Sequence, residues 1–125
     1  MEFNLEVPPN QFFIRSISEK GIRVGDDFYT CPFIISGQRI VPEWSVGSID
    51  DINEESLKVI IEQQPEVVLL GTGKTQTLLP LSTQMYFFRR HIGFEVMTTD
   101  AACRTFNVLV ADGRHVVAAL LPLIS

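Results

Sequence analysis

The sequence predicts a single-domain α/β fold in which an N-terminal β-meander gives way to three helices interleaved with buried strands. Two observations carry this. Between Phe12 and Val41, β-branched and aromatic residues are broken at short intervals by turn chemistry: Glu19-Lys20-Gly21, Gly25-Asp26-Asp27 and Ser36-Gly37-Gln38. Beyond Asn53, helix start and stop signals alternate with unbroken apolar runs at 67–70 and 116–121, as strands buried on both faces require. The length, 125 residues, suits one domain that buries about two-thirds of its unfolded surface.

The first eleven residues read as an extended segment, because Val7-Pro8-Pro9-Asn10 interrupts any regular structure before the first apolar run. The meander that follows is expected as strands near 12–17, 22–24, 27–31 and 33–36. Gly25-Asp26 and Gly37-Gln38 fit two-residue turns whose first residue takes a positive φ. Residues 42–47 form a loop carrying Trp44, the only tryptophan, whose large ring rewards packing as a lid over a core edge.

A helix then starts at Asn53. Its side chain can cap, Glu54 and Glu55 favour the positive end of the dipole, and Ile52 and Leu57 are spaced as a hydrophobic staple. Leu57, Ile60 and Ile61 mark its core face, and Pro65 ends it. The buried strand at 67–70 runs directly into Gly71-Thr72-Gly73-Lys74-Thr75-Gln76. A second helix is expected over about 82–92, with Leu81, Met85, Phe88 and Ile92 near helical period. Arg89, Arg90 and His91 lie in its last turn and Gly93 is placed as the residue after its cap. Phe94 to Met97 alternates as a short strand. For the last third two readings stand: a helix from Asp100 to Ala111 capped by Thr98 or Thr99, or a hairpin turning at Asp112-Gly113. The poor strand material Ala101-Ala102-Cys103-Arg104 favours the helix, and residues 116–121 make a final buried strand.

Charge and cysteine usage narrow the function. A formal net charge of -5 argues against general nucleic-acid binding, which depends on Lys and Arg displacing phosphate counterions. Only Cys31 and Cys103 occur, with no Cys-x-x-Cys pair and two histidines, so neither a zinc site nor any other metal or cofactor is expected; buried small hydrophobes is the ordinary role of such thiols. No apolar run is long enough to cross a bilayer and the N-terminus lacks a basic region before an apolar one, which together predict a cytoplasmic chain.

The stretch with most chemical promise is the glycine loop after the 67–70 strand. Gly73-Lys74-Thr75 is not a Walker A loop, because Val68 stands where that motif needs its first glycine. A dinucleotide fingerprint fails at Gln76, where its third glycine belongs. What remains is a glycine pair exposing backbone N–H groups, with Lys74, Thr75 and Gln76 as further donors, suited to an anion or polar ligand. Cys103 near a helix N-terminus is a conceivable nucleophile, but nothing in the spacing brings His91 or His115 to it. The acidic pairs Asp26-Asp27 and Asp50-Asp51 are explained by turn and helix-start hydrogen bonding.

Taken in order, Val68-Leu69-Leu70-Gly71-Thr72-Gly73, Leu79-Pro80, Gly93-Phe94-Glu95-Val96-Met97-Thr98-Thr99, Ala101-Ala102-Cys103-Arg104-Thr105-Phe106-Asn107 and the 116–121 strand resemble the Mth-domain family of small proteins. Its relatives include a mitochondrial respiratory complex I assembly factor and an adipogenesis-associated protein. The resemblance implies a layered α/β sandwich with a mixed β-sheet and supports the helix reading for 100–111. It also implies partner binding during assembly of a membrane complex rather than catalysis, and a pocket where the glycine loop faces the third helix. The expected function is therefore a non-enzymatic interaction or assembly-factor-like module with a protein partner or a second copy. The alternative is an anion- or polar-ligand-binding protein, or an enzyme, using Gly71, Thr72, Gly73, Lys74, Gln76, Cys103, Arg104 and Asn107.

Overall fold

The computed structural model describes Phe3 and residues 10–123, so most of the extended segment expected over 1–11 lies outside the described residues. Among the described residues, eight strands and three α-helices follow one another as β1 (Ile14–Ser18), β2 (Gly21–Val24), β3 (Asp27–Tyr29), β4 (Phe33–Ser36), β5 (Ile40–Val41), α1 (Glu54–Ile61), β6 (Val67–Gly71), α2 (Leu81–Phe88), β7 (Gly93–Met97), α3 (Thr99–Ala111) and β8 (Val116–Leu120), with one 3-10 turn, Ile49–Asp51, before α1. The expected α/β sandwich with a mixed sheet is the observed one.

The meander contributes a three-stranded antiparallel sheet, β1-β2-β3, and then the chain changes sheets. β4 pairs antiparallel with β8, at the far end of the sequence, and so joins a five-stranded sheet ordered β5-β4-β8-β6-β7. In it β6 runs parallel to both β7 and β8. The turn expected at Gly25 has its positive φ, 60°. Gly37 does not take one; the β4–β5 connection is instead organised by the Ser36 hydroxyl, which accepts hydrogen bonds from the N–H groups of Arg39 (3.0 Å) and Gln38 (3.3 Å).

Alternation along β6 and β8 fills two cores. Leu69, Val116, Ala118 and Leu120 point to one side, where α3 and the small sheet pack with Ile14, Ile17, Phe33 and Phe106. Val68, Leu70, Val117 and Ala119 point to the other, under α1, α2 and Trp44. Trp44 is buried as expected and donates its indole N–H to the Ser56 carbonyl (2.8 Å), which ties the loop to α1. α1 begins as read from the sequence: the Asn53 side chain accepts the Ser56 N–H (2.9 Å) and the Ser56 hydroxyl accepts the Asn53 N–H (3.0 Å).

α2 departs from expectation in length and in phase. It stops at Phe88, His91 takes the left-handed turn that follows (φ 59°), and Gly93 is already the first residue of β7. Its buried residues are Thr83, Tyr86 and Phe87, with Leu79 just upstream, and Phe87 stacks on Phe94 of β7 at 4.3 Å between ring centroids. Leu81 and Phe88, two of the periodic residues read from the sequence, are 71% exposed each, and Leu78 is 90% exposed. The residues 79, 83, 86 and 87 satisfy the helical period as well as 81, 85 and 88 do, and the set with two adjacent large rings fills the space over β6 and β7.

Candidate functional site

β6 ends at Gly71 on the C-terminal edge of its parallel pairings, where an open α/β sheet presents ligands. Gly71 passes close against α3: a Cβ there would lie 2.8 Å from Thr99 Oγ1 and 3.0 Å from Leu120 Cδ2, so only glycine fits. The chain then turns at Gly73 with φ 97°, a conformation that also favours glycine.

The residue that fixes this turn is Thr99, the first of α3. Its hydroxyl accepts the Gly73 N–H (2.7 Å) and donates to the Leu121 carbonyl (2.5 Å), while its own N–H donates to the Gly73 carbonyl (2.9 Å). One buried side chain thus fastens the glycine loop, the start of α3 and the exit of β8 together. Thr72 is held by its N–H to the Met97 carbonyl (2.9 Å) and its hydroxyl to the Thr75 carbonyl (2.7 Å). We expect Thr99→Val, which keeps the shape and removes the hydroxyl, to lower stability by about 2 kcal/mol in denaturant titration, because water can reach only part of what it leaves unpaired.

An open depression of about 500 Å³ adjoins this loop, lined by Thr72, Gly73, Lys74 and Thr75 together with apolar residues that include Ile49 and Leu121. Of the other expected residues, none lines this depression, and Lys74, which does, is also engaged at the surface. Gln76 is exposed and donates to the Val96 carbonyl (3.3 Å). Lys74 reaches Glu19 (3.7 Å), and Arg104 reaches Asp100 one turn earlier on α3 (3.5 Å), both at the surface. Asn107 is buried on the far side of α3, where it accepts the Ile14 N–H and donates to the Ile14 carbonyl, both at 2.8 Å. Asn107 therefore joins α3 to β1 and does not line the depression. Its position was legible in the spacing, since Cys103, Phe106, Asn107 and Val110 repeat as one buried stripe of α3. Thr99 was visible only as a possible cap, because its partners are 26 and 22 residues away.

Cys103 is fully buried beside Phe106, and burial pushes its thiol well above the usual range, with Asp100 adding to the shift. A thiol held protonated is no nucleophile at neutral pH. Cys31, expected to be buried, is exposed instead. With Ellman's reagent, one thiol per chain should titrate in the native protein and two in denaturant; fast reaction of both before unfolding would contradict the burial of Cys103. Among the described residues no three His, Cys, Asp or Glu side chains converge as a metal site.

The comparison with known sequences bears on what such a site is for. A family model described as a protein of unknown function, DUF498/DUF598, matches residues 14–121, from β1 through β8. The chain belongs to the DUF498/DUF598 family. Among relatives of this DUF498/DUF598 chain, the mouse protein named NADH dehydrogenase [ubiquinone] 1 alpha subcomplex assembly factor 3 is 38% identical over 117 residues, 91% of the chain and 62% of the relative. The chain thus spans less than two-thirds of that relative's length. A Francisella tularensis protein named 13 kDa major membrane protein is 32% identical over 70% of the chain and 72% of its own length. Among solved structures, a Bordetella parapertussis protein superposes with a TM-score of 0.84 at 32% identity, over 92% of the chain and 99% of its own. A Bordetella pertussis protein described as an Mth938-like domain gives 0.82 at 26% identity, over the whole chain and 94% of its own, in keeping with the Mth-domain resemblance.

Proposed function

We propose that the chain is a non-enzymatic interaction module of the assembly-factor kind, which holds a protein partner while a larger complex is built. The observation that carries this is the similarity to the assembly factor 3 proteins, which extends over nearly all of the folded chain. The chemistry agrees. Thr99 and Asn107 are engaged in fastening the fold, Cys103 is buried with its thiol held above the usual range, and among the described residues none of them is hydrogen-bonded to a histidine or carboxylate that would activate it. Among the described residues no helix is long and apolar enough to cross a membrane, so a partner within a membrane complex would be met at its surface.

The test is to express the tagged chain in the cells it comes from, crosslink, purify and measure mass by light scattering. A defined protein retained by the chain is the expected result. A monomer that retains no protein would overturn the proposal. Fractionating the same cells tests the cytoplasmic location, with recovery in the membrane pellet as the contrary result.

A second reading rests on the depression beside Gly73, whose threonine and lysine wall offers donors to a small anion or polar ligand. Thermal-shift screening with phosphates, nucleotides and carboxylates tests it, and no stabilisation by any of them would remove it.

A further inference from the structure

α2 is apolar on both faces, yet only one face is covered. Its inner side, Thr83, Tyr86 and Phe87, is packed into the core. On its outer side Leu81 and Phe88 stand largely in solvent, Met85 between them is half-buried, and Leu78, in the segment before the helix, is exposed as well. A helix apolar all round is ordinarily buried all round. Leu81, Met85 and Phe88 are spaced i, i+4 and i+7, the spacing of anchors where one amphipathic helix lies against another surface.

Charge gives this face a direction. Arg89 and Arg90 are the only two adjacent Lys or Arg residues in a chain of net charge -5, and they follow the stripe at its C-terminal end. Arg90 is held in place, its guanidinium 3.7 Å over the Tyr86 ring and donating to the Tyr86 carbonyl (2.8 Å). Among the described residues neither arginine has an ion-pair partner. Both line an open depression of about 710 Å³ together with Leu81, Met85 and a single carboxylate, Glu54, so the local sum is positive.

We infer that the outer face of α2 is a docking surface for an acidic amphipathic helix of a partner protein, with Leu78, Leu81, Met85 and Phe88 taking its apolar side and Arg89 and Arg90 its carboxylates. This rests on the interaction-module reading and names the surface through which that module works. A lipid surface and a second copy of the chain are the competing occupants. The acidic partner is favoured because two arginines are fewer than the roughly four to eight clustered basic residues that hold a protein to an anionic bilayer, and because an eight-residue helix, about 12 Å long, is short for a self-contained dimer interface.

The experiment uses the full chain and two synthetic helical peptides with one leucine stripe, glutamate-rich in one and lysine-rich in the other, followed by amide chemical shifts. The glutamate peptide is expected to shift residues 78–90 and the lysine peptide to leave them unmoved. Arg89→Glu with Arg90→Glu should weaken the glutamate peptide by roughly tenfold or more and admit the lysine peptide. Leu81→Gln with Phe88→Gln should abolish binding of the glutamate peptide, with an unchanged melting curve because these side chains are exposed. Equal binding of the two peptides, or shifts confined to the Gly71 to Gln76 loop, would overturn the inference. So would α2-dependent binding to phosphatidylglycerol vesicles without peptide binding, or a concentration-dependent dimer lost in the Leu81→Gln, Phe88→Gln chain. If wild type and that double variant retain the same partner in cells, the interaction-module reading survives and this surface does not. If the wild type retains no partner while α2 still takes the glutamate peptide, the reverse holds.

Discussion

Replacing Asn107 with leucine should cost about 3–5 kcal/mol of folding free energy and lower the melting midpoint by on the order of 10–20 °C. The side chain is 2% exposed and makes two hydrogen bonds of 2.8 Å to the main chain of Ile14, one to the N–H and one from the side chain to the carbonyl. Leucine fills similar space but leaves a buried donor and a buried acceptor without partners, each costing about 1–3 kcal/mol. Ile14 is where β1 begins and where its pairing with β2 shifts register, so the Asn107 amide replaces sheet hydrogen bonding at that irregularity. Denaturant titration with circular dichroism measures the loss; a change under about 1 kcal/mol would mean that the contact is not made in solution.

Phe87→Ala and Phe88→Ala should differ as sharply as two neighbouring substitutions can. Phe87 is fully buried and stacked on Phe94, so its removal should cost about 3–5 kcal/mol in lost burial and cavity formation. Phe88 is 71% exposed, and its removal should change stability by no more than about 0.5 kcal/mol. The pair therefore measures the rotational setting of α2 in solution. Equal costs, or a larger one at Phe88, would place the stripe of Leu81, Met85 and Phe88 against the core and remove the surface inferred above.

What could be read from the residues divides along the range of the interactions. The β-meander and the start of α1 were legible because turn residues and the Asn53 cap act within four residues of themselves. The identity of β6 and β8 followed from runs that have no polar alternation to place on a wet face. The phase of α2 was not legible, since Met85-Tyr86-Phe87-Phe88 satisfies two inward settings and the choice is made by Phe94 and Leu79. The departure of β4 from the meander was hidden for a similar reason: its partner, β8, lies more than eighty residues downstream. At the glycine loop the glycines were read as exposing backbone N–H groups, whereas Gly71 serves a close approach of α3 that residue type did not reveal. Thr99 and not Arg104 or Asn107 meets the loop, because α3 begins against Gly73 and turns its next buried stripe toward β1.

The place of β8 has a consequence for how the protein comes into being. β8 lies between β4 and β6 and, among the described residues, is the strand that joins the β5–β4 pair to the β6–β7 pair. It is also the last of the described strands to be synthesised. Until it arrives, a nascent chain holds two strand pairs with unsatisfied edges and both apolar cores open along Val68, Leu69 and Leu70, the kind of species on which chaperones act. The small β1-β2-β3 sheet can form from local contacts as soon as it is synthesised, but the central sheet closes only once β8 has emerged. A stop of translation before Val116 therefore yields a product with two sticky halves rather than a shortened domain.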